Sequence, residues 1–394
     1  LHELRHRELG EDSTVALFPP PREVISGSAG NDGNGTMSAV VSSSSSTLAP
    51  TLRSFVPALL LAFVAAQACI WLDTPLPWMI GPLFATAAAC MLGAPLSAPV
   101  QAREAGQWAI GTALGLYFSA PVLAVLARFA GWIVLAVGFA LVLGVFGGWL
   151  LHRVAGVDRA TAFFAMAVGG ASEMAVQGER HGARVDRVAA AHSLRIMMVV
   201  GTIPFAVRWW SAHGLGPGLD LYVPPAGTVD YAGLLALVAA TSVGALLFKR
   251  RGLPNAWVIG PLLVALALTA AGVNLSRLPE WTIRTGQLMI GVSLGTRFTP
   301  GFVHTAPRYL AGVAACTLLT MLLAAGFGAA LARFAGIPPG TALLATSPGG
   351  IAEMALTARV LHLGVPVVTA FHVARMVVVV LVIGPLYRLS ARRR

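Results

Sequence analysis

Charge is what this sequence has least of. Only 11% of its 394 residues are Asp, Glu, Lys or Arg, against about 25% in soluble domains. A chain so poor in charge does not cover a water-facing surface in the ordinary way. Cysteine is scarcer still: Cys69, Cys90 and Cys316 stand singly in apolar runs, and three cannot close a disulfide framework. Each is read as a small buried hydrophobe. The sequence has no Walker-type phosphate loop, no Gly-x-Ser-x-Gly elbow, and no His-x-His or His-Glu-x-x-His spacing among its nine histidines. Catalytic residue, metal and cofactor are therefore all assigned as none. The net charge of +11 comes mostly from bases at segment ends. Without a basic stripe interleaved with aromatics, direct nucleic-acid binding is not expected.

What is there is apolar. Hydrophobic residues make up 56% of the chain, and the mean hydropathy is +0.76. Runs of about 20 apolar residues, long enough to cross hydrocarbon, recur from Phe55 onward. Forty-three glycines suit helices that approach closely without a hydrophobic drive between them. The fold class is all-α: a polytopic helical membrane protein with the lipid bilayer as its partner. Residues 1–50 depart from this pattern. They are polar, rich in Gly, Ser and Pro, and are expected to be a disordered extension, with Met37 a candidate start. No signal peptide is evident, and residues 55–72 read as an uncleaved span.

The chain repeats itself. Gly169-Gly170-Ala171-Ser172-Glu173-Met174 returns as Gly349-Gly350-Ile351-Ala352-Glu353-Met354, and His192-x-x-Arg195 as His372-x-x-Arg375, each offset by 180. Trp78 with Gly81-Pro82 matches Trp257 with Gly260-Pro261, while Gly106-Gln107, Gly111 and Gly115 match Gly286-Gln287, Gly291 and Gly295. This is a duplication: first membrane repeat 51–210, linker 211–229, second repeat 230–390. Lys249-Arg250-Arg251 has no basic counterpart at Asp73-Thr74-Pro75, and Arg180, Arg184 and Arg187 outnumber Arg359. Equivalent loops therefore lie on opposite sides by the positive-inside rule, which favours inverted repeats with both termini cytoplasmic. Arg153 and Arg159 argue the other way.

Ten residues separate Val185 from Arg195, about 15 Å along a helix, which reaches mid-bilayer. An arginine there costs at least about 2.5–3.5 kcal/mol unless paired or wetted. The Gly169-Gly170 pair and Pro348-Gly349-Gly350 mark places where a helix is easily interrupted. Broken backbone at depth is tolerated only against protein or a water-filled cavity, and transporters place ion and substrate sites there. Two readings stand. In one, Glu173, Arg195, Glu353, Arg375, His192 and His372 line a midplane binding site for a small ion or solute. In the other, each Glu–Arg pair locks a broken helix to its neighbour. Gly111-x-x-x-Gly115 and Gly291-x-x-x-Gly295 read as helix-packing stripes.

On the doubled Gly-Gly-x-x-Glu-Met with His-x-x-Arg, the chain resembles the bacterial membrane family AbrB, or AbrB duplication, over residues 55–390. The resemblance implies two inherited labels, regulation of gene expression and an ammonia monooxygenase, and kinship with cation/proton antiporters and anion transporters. That group has broken helices in two inverted halves. Ile351-Ala352 replaces Ala171-Ser172, so the two halves need not contribute equally. The leading expectation is a secondary transporter in the bacterial inner membrane, not an enzyme. A membrane-embedded regulator is the alternative and an oxygenase a distant third, with association into a homo-oligomer left open.

Overall fold

A computed structural model describes residues 48–212, 229–302 and 306–392. The expectations for disorder, for Met37 and for most of the linker lie outside those residues. The described residues form helices and no strand: α1 (Leu48–Trp71), α2 (Pro77–Met91), α3 (Val100–Gly115), α4 (Ala120–Arg128), α5 (Ala130–Ala155), α6 (Arg159–Met166), α7 (Ala171–Glu179) and α8 (Val185–Ala212). They continue as α9 (Tyr231–Arg250), α10 (Ala256–Ala270), α11 (Glu280–Gly295), α12 (Pro307–Ala335), α13 (Pro339–Thr346), α14 (Ile351–Val360) and α15 (Val365–Arg392). Six of these, α1, α5, α8, α9, α12 and α15, hold stretches long and apolar enough to cross a membrane. The protein is thus an all-α chain of the integral-membrane type.

Local chemistry sets the ends. Asp158 caps α6 by accepting from the Thr161 N–H at 2.7 Å, and Asp230 caps α9 by accepting from Gly233 at 2.8 Å. Gly156 and Gly336, both at φ 66°, close α5 and α12 in the left-handed region where glycine avoids a Cβ penalty. α4 and α5 part at Phe129. Across the break between Gly115 and Ala120, α3 and α4 meet at 87°.

Among the described residues, every left-handed position has a counterpart 179 or 180 residues away: Asp73 with Gly252, Leu76 with Asn255, Gly93 with Gly272, Gly156 with Gly336, and Gly182 with His362. Sequence identity at these points is often lost, yet the backbone turn recurs.

The helices pack in two groups. In one, α1 lies on α2 and α9 on α10, and the halves interlock as α2 crosses α11 and α3 crosses α10. In the other, α5, α8, α12 and α15 enclose the short helices α6, α7, α13 and α14. The groups meet where α3 approaches α14 and where α2 approaches α8.

The glycine stripes make the first group possible. A Cβ on Gly115 would sit 2.5 Å from the Leu262 carbonyl oxygen, and one on Gly291 2.7 Å from that of Met79. Backbone approaches backbone directly, as the packing reading of both stripes requires. Cys90 and Cys316 are buried, while Cys69 is only half-buried. G111L and G291L are expected to destabilise the protein by about 1–3 kcal/mol or more through overpacking. G138A, where a Cβ meets nothing within 4 Å, is expected to be neutral. Thermal unfolding in detergent checks this, and equal stability of all three variants would refute the packing role.

Candidate functional site

Each doubled motif marks a break between two short helices. α6 ends at Met166 and α7 begins at Ala171, while α13 ends at Thr346 and α14 begins at Ile351. A helix end leaves its last carbonyls and its first N–H groups without partners, so each break holds a negative end and a positive end.

The His-x-x-Arg pair serves the negative end. Nε2 of His192 lies 2.9 Å from the Phe164 carbonyl, which can only accept, so the ring carries its proton on Nε2. Its Nδ1 is then free to accept from Arg195 at 2.8 Å. Arg195 donates further to the carbonyls of Ala167 at 2.9 Å and of Met166 and Gly169 at 3.5 Å. The second half repeats this. His372 meets the Leu344 carbonyl at 2.9 Å, and Arg375 donates to Ser347 at 2.6 Å and to Gly349. Both arginines are more than nine-tenths buried. A positive charge at a helix C-terminus also suits the macrodipole.

The glutamates serve the positive end. Glu173 and Glu353 each stand third in their helix, in the first turn, where a carboxylate favours the exposed N–H groups. Glu173 also accepts from the Asn255 N–H at 3.2 Å, tying α7 to the start of α10. Glu353 is buried and Glu173 only half-buried. Among the described residues, neither glutamate forms an ion pair with an arginine. The expected Glu–Arg lock is therefore replaced by separate compensation of opposite helix ends.

The glycines have a different role from the one their type suggests. Gly170 (φ −66°, ψ 140°) and Gly350 (φ −82°, ψ 163°) are extended, a conformation open to any residue. They are needed for room. The carboxylate of Glu173 folds into the space a Cβ on Gly170 would fill, and Glu353 does the same over Gly350. Cβ atoms on Gly169 and Gly349 would meet Met174 at 2.8 Å and Met354 at 2.7 Å. The spacing Gly-Gly-x-x-Glu-Met thus describes one self-packed turn.

Both breaks open onto a single cavity of about 380 Å³ between the two helix groups. Glu173, Arg195, Glu353, His372 and Arg375 line it, as do Gly169, Gly170, Pro348, Gly349 and Gly350. His192, fully buried, does not line it and acts behind Arg195. The sequence reading missed residues from the other group: Arg103, Glu104 and Gln107 on α3, Lys249 in the last turn of α9, Asn255 at the start of α10, and Arg297 after α11. Lys249 pairs with Glu104 at 2.9 Å, and Gln107 donates to Asn255 at 3.2 Å. The signal available was charge placed in one repeat and absent from the other. Among the described residues, no group of three or more His, Cys, Asp and Glu could hold a metal.

Fold and site together define a polytopic helical membrane protein with paired broken helices facing one central cavity. Residues 78–391 match the family described as "Transition state regulatory protein AbrB", and the chain belongs to that AbrB family. It is similar to a protein of Escherichia coli (strain K12) titled "Putative regulator AbrB", with 28% identity over 316 residues, 79% of this chain and 88% of that protein. It is also similar to "Uncharacterized protein YhjN" of Bacillus subtilis (strain 168), with 28% identity over 339 residues, covering 79% of this chain and 86% of that one.

Removing the donor should expose the carbonyls. R375M is expected to cost about 1–3 kcal/mol for each buried oxygen left unpaired, with E353Q much milder. Melting temperatures in detergent test this ranking, and an R375M protein as stable as wild type would refute the capping role.

Proposed function

We propose that this protein is a secondary transporter of a small ion or solute, driven without nucleotide hydrolysis by the chain itself. The observation that carries this reading is the convergence of two interrupted helices on one central cavity. Interrupted backbone at membrane depth is otherwise a cost, and transporters place their binding sites at such points. The cavity lies between two helix groups that touch along few elements, a plan that permits one group to move against the other. Two glutamates and two arginines are held at its floor by helix ends, and intramembrane charge by default marks a solute or ion path.

We further read the halves as inverted, the membrane as the bacterial cytoplasmic membrane, and both termini as cytoplasmic. The cavity lining includes Lys249 and Gly252 and so adjoins the Lys249-Arg250-Arg251 cluster, which the positive-inside rule assigns to the cytoplasm. No enzymatic step is assigned. A membrane-embedded regulator is the second reading, favoured by the family's description. It need not move a solute.

Flux into proteoliposomes separates them. Wild-type protein is expected to take up solute, with E173Q and E353Q abolishing uptake while retaining the wild-type melting temperature. Absence of flux from the folded wild type across ions and small solutes would favour the regulator.

A further inference from the structure

The transport reading leaves open what the cavity receives, and its charges narrow the choice. Five basic and three acidic side chains line it. The acids are already engaged: Glu104 by Lys249 at 2.9 Å, Glu173 by the Asn255 N–H at 3.2 Å and its own helix start, and Glu353 by the start of α14. Arg195 and Arg375 are engaged by the carbonyls of the breaks. Two cations remain, Arg103 and Arg297. Among the described residues, neither guanidinium takes part in an ion pair, and Nε of Arg103 is buried without a hydrogen-bond partner. Both line the same cavity as Glu353.

The repeat shows that the fold does not need them. At the positions offset by 180, Arg103 corresponds to Ile283 and Arg297 to Tyr117. Those two residues line a second cavity of about 650 Å³ with the matching Trp78 and Gln287, and neither break reaches it. The same corner is therefore built twice, with the two guanidinium groups replaced by uncharged side chains in the second copy, which Arg277, Arg284, Arg359 and Glu280 also line; the Arg103 and Arg297 copy is the one that faces the broken helices.

An unused donor points the same way. Nε of Arg375 lacks a partner, and the residue lines the cavity more than nine-tenths buried. The starts of α7 and α14 on the cavity are already met by the Glu173 and Glu353 carboxylates. Paired guanidinium forks match the geometry of carboxylate and phosphate oxygens.

We propose that the cavity binds a small oxyanion, a carboxylate or phosphate-type group, held directly by Arg103 and Arg297. This rests on the transport reading only for its consequence, movement of the anion; the binding stands by itself.

The test uses the intact protein in detergent and follows its melting temperature with acetate, succinate, phosphate, chloride, choline or sucrose at constant ionic strength. At least one of acetate, succinate and phosphate is expected to stabilise wild type in a saturable way. R297Y and R103I, which install the residues the fold already accepts at Tyr117 and Ile283, are expected to weaken that binding about ten- to hundredfold, and R297K to retain part of it. R128Q, at an exposed position, is expected to bind as wild type. The proposal is overturned if none of the three oxyanions stabilises wild type, or if their effect persists unchanged in both R297Y and R103I. Flux keeps the two readings apart. Arg297-dependent binding without flux sinks transport and spares the anion site. Flux of choline or sucrose that R297Y leaves unchanged sinks the anion site and spares transport.

Discussion

Backbone polar groups that leave helical pairing inside a bundle must find partners from protein, because hydrocarbon offers none. The stretches 167–170 and 347–350 do this twice, and the architecture of the second helix group follows from meeting that demand. A buried carbonyl without a donor costs about 1–3 kcal/mol, and an arginine at helix mid-depth costs about 2.5–3.5 kcal/mol on insertion scales. Neither is tolerable alone. Arg195 with three carbonyls and Arg375 with two remove both penalties in one arrangement, and His192 and His372 extend it by one turn of α6 and α13.

The same demand explains why the charges come in sets. An arginine can reach the carbonyl end of a break only from a neighbouring helix, so α8 and α15 must run beside α6 and α13. The N–H end is met from within by the third residue of α7 or α14, which curls over a glycine. One break thus consumes an arginine from one helix, a glutamate from another and the room left by two missing Cβ atoms. Losing the arginine leaves the carbonyl end of its break without that donor.

The halves share this scaffold but not its wetting. Glu353 is buried where Glu173 is half-buried, and Arg195 receives a nitrogen lone pair from His192 where Arg375 has no such bond. The first helix group amplifies the difference, setting Arg103, Lys249 and Arg297 on one side and Ile283, Ile70 and Tyr117 at the equivalent places. The left-handed turns recur in both halves while the side chains lining the two cavities differ.

Much was legible in the chain itself. Low charge and long apolar runs determined a helical membrane protein, because a bilayer accepts few alternatives. The glycine pairs of the doubled motifs located both breaks. The roles inside the breaks were not legible. Residues 173 and 195 carry opposite charge at a spacing that invites pairing, yet their partners are helix ends, which appear only once α6 and α7 are placed beside α8. Arg103 and Arg297 looked like ordinary flanking bases because nothing in a linear order brings α3 and α11 against a break in α14. Sequence by itself decided that the chain is helical and where its two glycine-marked breaks fall, since both follow from local hydropathy and backbone chemistry. Tertiary structure alone decided which charges cancel and which remain open, since that depends on helices far apart in the chain crossing at one point.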